Sequence, residues 1–177
     1  MTKLAILFTD IVNSTGLFRE YGDFEGKKFL QSHYDIATPI ITKSSGKIIK
    51  YIGDSVMASF DNPEKAAESA ILIQERTQLE NQKRIRERKP LIKVRIGIHY
   101  GDVILDKDDL YGDTVNIASK LANLDSSEGV YITDEMYKAI KQSDGNGLTF
   151  DLFEGNRGDL PEQIILYKID HVGGIGN

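Results

Sequence analysis

LAILFTDIVNST, residues 4–15, is an apolar run that leads directly to an aspartate, Asp10. A continuous run of this kind predicts a strand buried on both faces, so Asp10 lies where the strand leaves the core. A second stretch, IIKYIGDSVMASF at residues 48–60, places Gly53 and Asp54 between two apolar runs. This pattern predicts a tight hairpin with Asp54 at its tip. If the two strands are neighbours, both carboxylates converge at one end of the sheet, an arrangement that suits hard divalent cations.

Both stretches resemble the metal-binding strand and hairpin of the class III nucleotidyl cyclases, the catalytic domains of adenylyl and guanylyl cyclases. Two further stretches, RIGIHYGDV (95–103) and DLYGDTVNIASK (109–120), match the same family in order and spacing. Because the resemblance extends from Lys3 to about Lys168, the chain is identified as a member of this family, of the bacterial adenylyl cyclase type. The resemblance implies an α+β fold, the class III cyclase catalytic fold, with a ferredoxin-like βαββαβ core and a C-terminal α/β extension.

The composition limits the class of protein. The 177 residues are enough for one domain with a hydrophobic core and too few to expect two. We expect the catalytic domain to occupy residues 1–171 and residues 172–177 to form a flexible tail. The net charge of -5 argues against nonspecific binding of nucleic acid. With no apolar run of membrane length and no signal-peptide pattern, we expect a soluble, cytoplasmic protein without a membrane segment.

The chain contains no cysteine, which excludes disulfides and thiolate metal sites. Any metal must therefore use oxygen or histidine ligands. The three histidines, His33, His99 and His171, are scattered and show no ligand spacing. We expect His33 and His99 to be structural.

Helix signals flank the predicted hairpin. Ser14 and Thr15 are candidate N-caps of a first helix, with a break at Gly22. Asn62 and Pro63 combine a capping side chain with a proline in the first turn, which predicts the start of a second helix. With a strand at residues 93–100, the order strand, helix, hairpin, helix, strand predicts a ferredoxin-like core. The elements expected after this core are a helix near residues 114–124, a strand at 129–133, a helix near 135–141 and a hairpin within 148–169.

The resemblance implies a site for two divalent metal ions, Mg²⁺ or Mn²⁺. Its ligands would be the side chains of Asp10 and Asp54 and the backbone carbonyl of Ile11, and the cations would activate the ribose hydroxyl and stabilise charge on the triphosphate. The alternative is that each aspartate is only a helix cap or a turn residue.

The loop after Asp10 joins a helix N-terminus, where N–H groups favour an anion, and is expected to bind the triphosphate. Its substrate-binding residues are Asn13, Ser14, Thr15 and Gly16.

Two arginines are candidates for phosphate binding. Arg95, at the start of its strand, matches the family arginine that binds the terminal phosphates, where a guanidinium can make bidentate contacts. The alternative is an ordinary surface arginine on a strand. Near the C-terminus, Glu154 stands where many relatives place a phosphate-binding lysine. Arg157 is the candidate to supply the missing cation from a shifted loop.

Lys50 and Asp109 match the positions that recognise the base in this family. Adenine offers an acceptor at N1 and a donor at its 6-amino group, so a lysine donor and an aspartate acceptor form a complementary pair. Guanylyl cyclases of the family typically carry glutamate and cysteine at these places, so this pair resembles that of adenylyl cyclases. The alternative is that each residue is an ordinary surface charge.

Asn116 and Lys120 match the catalytic positions of the family. They lie four residues apart on a short helix that Asp113 is expected to cap, so both side chains face the same way. In the family the asparagine orients the ribose, and an arginine four residues later stabilises the transition state at the α-phosphate. Lys120 replaces that arginine here. Because lysine lacks the planar fork of arginine, we expect a weaker catalyst.

The family divides its active site between two domains, one with the metal-binding aspartates and one with the base-reading and transition-state residues. This chain contains both sets, so we expect a homodimer with two composite sites. The leading hypothesis is an adenylate cyclase that converts ATP to 3′,5′-cyclic AMP and pyrophosphate in signal transduction. The alternatives are a catalytically degenerate homologue that binds a nucleotide or a partner domain and, less favoured, a guanylyl cyclase. A regulatory domain or an activator protein outside this chain stays open.

Overall fold

The computed structural model describes residues 1–124, 127–141 and 147–172. Within these residues the chain forms eight strands and four helices. The strands are β1 (Thr2–Ile11), β2 (Lys47–Ile52), β3 (Ser55–Phe60), β4 (Val94–Asp106), β5 (Asp109–Tyr111), β6 (Gly129–Thr133), β7 (Leu148–Leu152) and β8 (Leu166–His171). The helices are α1 (Ser14–Lys43), α2 (Pro63–Arg86), α3 (Asp113–Ala122) and α4 (Asp134–Lys141).

The strands form one mixed sheet in the order β2-β3-β1-β4-β6-β8-β7, and β5 pairs with β4 outside this path. Neighbouring strands are antiparallel except β4 and β6, which are parallel. The predicted ferredoxin-like core is confirmed as β1-α1-β2-β3-α2-β4, and α3, β6, α4, β7 and β8 extend it. The fold is therefore of the α+β class, and β1 is an interior strand between β3 and β4.

β1 is buried on both faces, as its apolar run predicts. Ala5 and Leu7 belong to a core cluster shared with α1 and α2. Ile6 and Phe8 belong to a second cluster that includes residues of α3. Because alternate residues of a strand point to opposite faces, Asp10 at the end of β1 is on the same face as α3.

The predicted hairpin and the start of α2 are confirmed. Gly53 and Asp54 form the turn between β2 and β3, with Gly53 at a positive φ of 57°. α2 begins at the proline after Asn62, whose side chain accepts a hydrogen bond from the Glu64 N–H at 2.9 Å. The elements after the core also fall close to the predicted ranges.

Two helix starts differ from the predictions. The N-cap of α1 is Asn13, which adopts the left-handed conformation (φ 58°, ψ 38°) and makes no side-chain capping bond. Ser14 and Thr15 are therefore helical residues, and their assignment as caps was wrong. The N-cap of α3 is Gly112, and Asp113 is the first helical residue. The chain turns at Gly112 with a φ of 125°, which glycine adopts without steric cost, so a capping aspartate is not used.

β4 is longer than predicted. It continues beyond Tyr100 to Asp106, where it turns back to pair with β5 in the register Asp106↔Asp109. Acidic residues interrupt the apolar alternation in this part of the chain, so the pattern alone did not extend the strand. We call the segment 104–111 the β4–β5 arm.

Two further expectations concern the end of the chain and membranes. Of the predicted tail, Val172 is described, and residues 173–177 lie outside the described residues. Among the helices in the described part of the chain, none has the length and apolar character needed to cross a membrane.

Candidate active site

Asp10 and Asp54 come together at one end of the sheet, as the sequence predicts. β1 and β3 pair as far as Phe8 and Met57, and the hairpin turn carries Asp54 to the end of β1. The Asp54 carboxyl is close enough to Asp10 to change its pKa. Burial and, next, the charge of Asp54 raise the pKa of Asp10 to about 7, and the Arg95 guanidinium opposes this shift.

This carboxylate pair fits a divalent cation. The raised pKa of Asp10 reflects the loss of water and the repulsion between two adjacent negative charges. A cation would remove that repulsion, and carboxylate oxygens are the ligands that Mg²⁺ and Mn²⁺ prefer. Nowhere in residues 1–124, 127–141 and 147–172 do three or more His, Asp or Glu side chains form a potential metal site. Further ligands would be backbone, water or substrate oxygens, and Ile11, whose carbonyl is the expected third ligand, directly follows Asp10 in β1.

The sequence did not predict a group of polar contacts next to Asp10 and Asp54. Thr9 is fully buried, its carbonyl accepts a hydrogen bond from Ser55 Oγ, and its Oγ1 accepts one from the Val56 N–H at 3.0 Å. His33 Nε2 lies 2.7 Å from the same Oγ1. The available signal was a threonine at the end of an apolar run, directly before Asp10.

His33 and His99 are structural, as predicted. Each is buried and shares a hydrogen bond with a buried threonine: His33 with Thr9, and His99 Nδ1 with Thr133 Oγ1 at 2.6 Å. Burial lowers the pKa of both imidazoles, that of His33 to about 4. Both rings are therefore neutral at neutral pH.

The loop between β1 and α1 suits an anion. Asn13 turns the chain, and its carbonyl accepts a hydrogen bond from the Leu17 N–H at 3.1 Å. Its side chain lies against Gly16, where an added Cβ would come within 2.5 Å of it. The Asn13 side chain makes no capping bond, and the first N–H groups of a helix have no partner within the helix itself. Such a helix start favours phosphate.

Arg95 is buried, which disagrees with the alternative interpretation of an ordinary surface arginine on a strand. It pairs with Asp10 in the β1–β4 register and is only 9% exposed. Its Nε donates to the carbonyl of Ala122, the last residue of α3, at 2.7 Å, and its Nη2 donates to Asp10 Oδ2 at 3.3 Å. The guanidinium therefore joins the carboxylate pair to the C-terminal end of α3, where a cation also complements the helix dipole.

Lys50 on β2 and Asp109 on β5 form an ion pair. Lys50 Nζ donates to Asp109 Oδ2 at 2.7 Å, although the two are 59 positions apart in the chain. This hydrogen bond and one from the Leu110 N–H hold the pKa of Asp109 below its usual value. The two residues are thus an aligned pair at the protein surface, and not two unrelated charges.

Asn116 and Lys120 are both exposed, one turn apart on α3. The buried side of this helix includes Leu121, which packs where α3 crosses β4 at Gly97. A Cβ added at Gly97 would lie 2.4 Å from Leu121 Cβ and 2.6 Å from the Ala122 nitrogen, so only glycine allows this approach. α3 therefore presents Asn116 and Lys120 outward from a fixed position on the sheet.

Arg157 is engaged within its own loop. Its Nη1 donates to the backbone carbonyls of Pro161, Glu162 and Ile164 at 2.8, 2.9 and 2.8 Å. These contacts hold together the connection between β7 and β8 and count against the hypothesis that Arg157 binds phosphate. Glu154, in the same connection, is exposed.

Residues 1–157 match the family described as the adenylate and guanylate cyclase catalytic domain. The chain belongs to this family. An adenylate cyclase from Anabaena cylindrica is 32% identical over 154 residues, which cover 78% of this chain and 31% of that protein. A receptor-type guanylate cyclase, Gyc76C from Drosophila melanogaster, is 28% identical over 159 residues, which cover 82% of this chain and 10% of that protein. The chain thus spans less than a third of the length of either relative.

A solved structure shows the same fold. The adenylyl cyclase CyaB from P. aeruginosa superposes with a TM-score of 0.80 at 21% identity, over 98% of this chain and 97% of that chain. At this identity the likeness concerns the fold alone. Since the family contains both adenylate and guanylate cyclases, membership defines the class of chemistry, and the choice of base rests on the residues of this chain.

Proposed function

We propose that this domain is an adenylate cyclase that converts ATP to 3′,5′-cyclic AMP and pyrophosphate at the interface of two copies of the chain. The observation that carries the proposal is the contact of 2.7 Å between Lys50 Nζ and Asp109 Oδ2. A lysine donor beside an aspartate acceptor is complementary to the N1 acceptor and the 6-amino donor of adenine. Guanine presents the opposite pattern, so the pair favours ATP over GTP.

Asp10 and Asp54 would hold the divalent cations, with the carbonyl of Ile11. When bound, these cations supply the positive charge that activates the ribose 3′-hydroxyl and neutralises the triphosphate. The N–H groups at the start of α1, from Ser14 onward, would bind the terminal phosphates, and Arg95 would add its charge beside them. These contacts would align pyrophosphate as the leaving group.

The reaction is one in-line displacement. The 3′-oxygen attacks the α-phosphorus as its proton passes to solvent, and the bond from that phosphorus to the pyrophosphate oxygen breaks. Asn116 would orient the ribose, and Lys120 would stabilise the negative charge that develops at the α-phosphate. Lysine keeps the charge of the usual arginine but loses its bidentate geometry, so turnover should be slow.

We propose that each active site is shared by two copies. Asp10 and Asp54 of one copy would face Lys50, Asp109 and α3 of the other, and a two-fold axis would generate two equivalent sites. The β4–β5 arm that carries Asp109 supports an interface, because Ile104 and Leu105 are 54% and 60% exposed. Exposed apolar side chains grouped on one arm are typical of a surface that a partner covers.

A second candidate function is a degenerate cyclase homologue that binds a nucleotide or a partner domain without turnover. Two observations favour it: Lys120 replaces the arginine, and the exposed Glu154 stands where relatives place a lysine. The contacts of Arg157 Nη1 with its own loop count against compensation by this residue.

Cyclic AMP production tests the two candidates directly. The protein is incubated with ATP and Mg²⁺ or Mn²⁺ across a dilution series, with Asp10→Ala as the control. Activity that the control lacks, with a specific activity that falls on dilution, supports a metal-dependent dimeric adenylate cyclase. Nucleotide binding without product at high protein concentration supports the degenerate homologue.

Mixing two inactive variants tests the shared site. Asp54→Ala and Asn116→Ala should each lack activity, and an equimolar mixture should recover roughly a quarter of the wild-type activity. Half of the dimers are then mixed, and each mixed dimer contains one intact site of two. If the mixture stays inactive while both variants still dimerise, the composite site is rejected.

We further propose that the catalytic domain occupies residues 1–171 and, because ATP is its substrate, acts in the cytoplasm. A regulatory domain or an activator protein outside this chain would control it. The full-length relatives are longer than this domain, which leaves room for such control.

A further inference from the structure

Two adjacent residues of α1 contact the residues that directly precede the two aspartates. His33 Nε2 lies 2.7 Å from the Oγ1 of Thr9, which precedes Asp10. The Tyr34 hydroxyl donates a hydrogen bond to the carbonyl of Gly53, which precedes Asp54. One turn of one helix is therefore attached both to the end of β1 and to the hairpin turn, the two segments that carry Asp10 and Asp54.

These attachments lie where the regular pairing of the sheet ends. The Cα register between β1 and β3 stops at Phe8 and Met57. Beyond that point the strands are joined through Thr9, whose Oγ1 accepts from the Val56 N–H at 3.0 Å and whose carbonyl accepts from Ser55 Oγ. The side chain that binds His33 is thus also the side chain that joins the two strands beside the aspartates.

The surroundings of His33 indicate that its hydrogen bond to Thr9 does more than fill space in the core. The imidazole is fully buried, and its Nδ1 has no hydrogen-bond partner within the described residues. A leucine or phenylalanine would fill the same space without leaving a buried polar atom unsatisfied. Unlike an apolar side chain, the histidine makes a directional hydrogen bond to Thr9. Its ring stays neutral, since burial lowers the pKa of His33 to about 4.

Tyr34 is held in place by a neighbouring tyrosine. Its ring packs edge-on against Tyr51 of β2, with ring centroids 4.8 Å apart. The Tyr51 hydroxyl in turn shares a hydrogen bond of 2.8 Å with Thr38, one turn further along α1. The Tyr34 hydroxyl is therefore supported from both the helix and the strand when it binds the Gly53 carbonyl.

We propose that His33 and Tyr34 are positioning residues that set the separation of the Asp10 and Asp54 carboxylates, and hence the affinity for a divalent cation, through Thr9 and Gly53. The inference rests on the metal-binding role in the proposed function. Groups that orient metal ligands typically change metal affinity by about 10-fold to 100-fold when they are removed.

The test is Mn²⁺ binding without nucleotide, measured from the electron paramagnetic resonance signal of unbound Mn²⁺, alongside cyclase kinetics over a range of Mn²⁺ concentrations. His33→Leu keeps the bulk and removes the bond to Thr9, and Tyr34→Phe removes only the hydroxyl. Both should weaken Mn²⁺ binding by about 10-fold or more. The rate at saturating Mn²⁺ should fall much less than the apparent affinity for Mn²⁺.

Matched variants separate positioning from general damage. His33→Gln can restore a hydrogen bond to Thr9 and should recover most of the affinity. His99→Leu removes a buried histidine–threonine bond away from the aspartates, and Tyr131→Phe removes a tyrosine hydroxyl that donates to a backbone carbonyl, that of Ser127; neither should alter Mn²⁺ binding beyond twofold. Circular dichroism confirms the folding of each variant, and Tyr34→Phe, which removes a single oxygen, keeps the test valid if His33→Leu does not fold.

The outcomes distinguish this inference from the proposed function. Unchanged Mn²⁺ binding in folded Tyr34→Phe and His33→Leu overturns the positioning role, even if the wild type makes cyclic AMP. Mn²⁺ binding that is lost in Asp10→Ala and weakened in both variants supports it, even if no cyclic AMP is formed and the proposed function fails. If the wild type shows no binding that depends on Asp10, the inference is overturned as well.

Discussion

Acid should unfold this protein partly through His33. In the folded state burial lowers the pKa of His33 from 6.5 to about 4, and the charge of Asp54 opposes the shift. Between these two pH values the unfolded chain binds a proton that the folded chain does not, so stability is full above pH 6.5 and is lost as the pH falls to about 4. Since one pKa unit corresponds to about 1.4 kcal/mol, the total loss is about 3 kcal/mol, and most of it is lost by pH 4.5.

Urea unfolding followed by circular dichroism at pH 7.5 and at pH 4.5 measures this loss. His33→Leu has no titrating ring at this position, so wild type should lose about 2 to 3 kcal/mol more than the variant between the two pH values. Other titrating groups are common to both proteins and cancel in the comparison. His171→Gln, which removes an exposed histidine, should keep the wild-type behaviour. Equal pH dependence of wild type and His33→Leu would refute the reasoning.

Three other variants test the proposed site and its packing. Lys50→Glu combined with Asp109→Cys should lower the use of ATP and admit GTP, and an unchanged preference in steady-state assays would reject these residues as base readers. Lys120→Arg should raise kcat with little change in the KM for ATP, because the planar fork acts as charge develops; a lower kcat would contradict this role. Gly97→Ala should destabilise the fold by about 1–3 kcal/mol, since the methyl group would meet α3, and an unchanged thermal unfolding midpoint would argue against that close contact.

β1 could be predicted because its apolar sequence pattern matches its burial on both faces of the sheet. An uninterrupted apolar run is typical of a strand covered on both sides, and β1 has helices against both faces. The start of α1 was less predictable. Ser14 and Thr15 are good capping residues, but the path of the chain is set by the pairing of β1 with β4, which extends to the bond from the Val12 N–H to the Lys93 carbonyl at 2.8 Å. Asn13 then turns the chain in the left-handed region, and no side-chain cap is used.

Contacts between distant residues divide into two groups. The pairing of Lys50 with Asp109 was anticipated from a family resemblance, and no periodicity in the sequence would have found it. The burial of Arg95 and the bond between His33 and Thr9 were not anticipated at all. Each depends on how a helix crosses the sheet, and that crossing is set by packing along the whole element and not by any local motif.

Arg95 connects two parts of the chain that would belong to different active sites of the proposed dimer. Its guanidinium contacts Asp10 on one side and, on the other, the end of the helix that carries Asn116 and Lys120. In the dimer, Asp10 of a given copy would work in one active site and its α3 in the opposite one. A cation that binds beside Asp10 changes the charge that Arg95 faces, and the same side chain anchors the helix that serves the other site. The two sites would then communicate, and the second ATP would bind with an affinity that depends on the first.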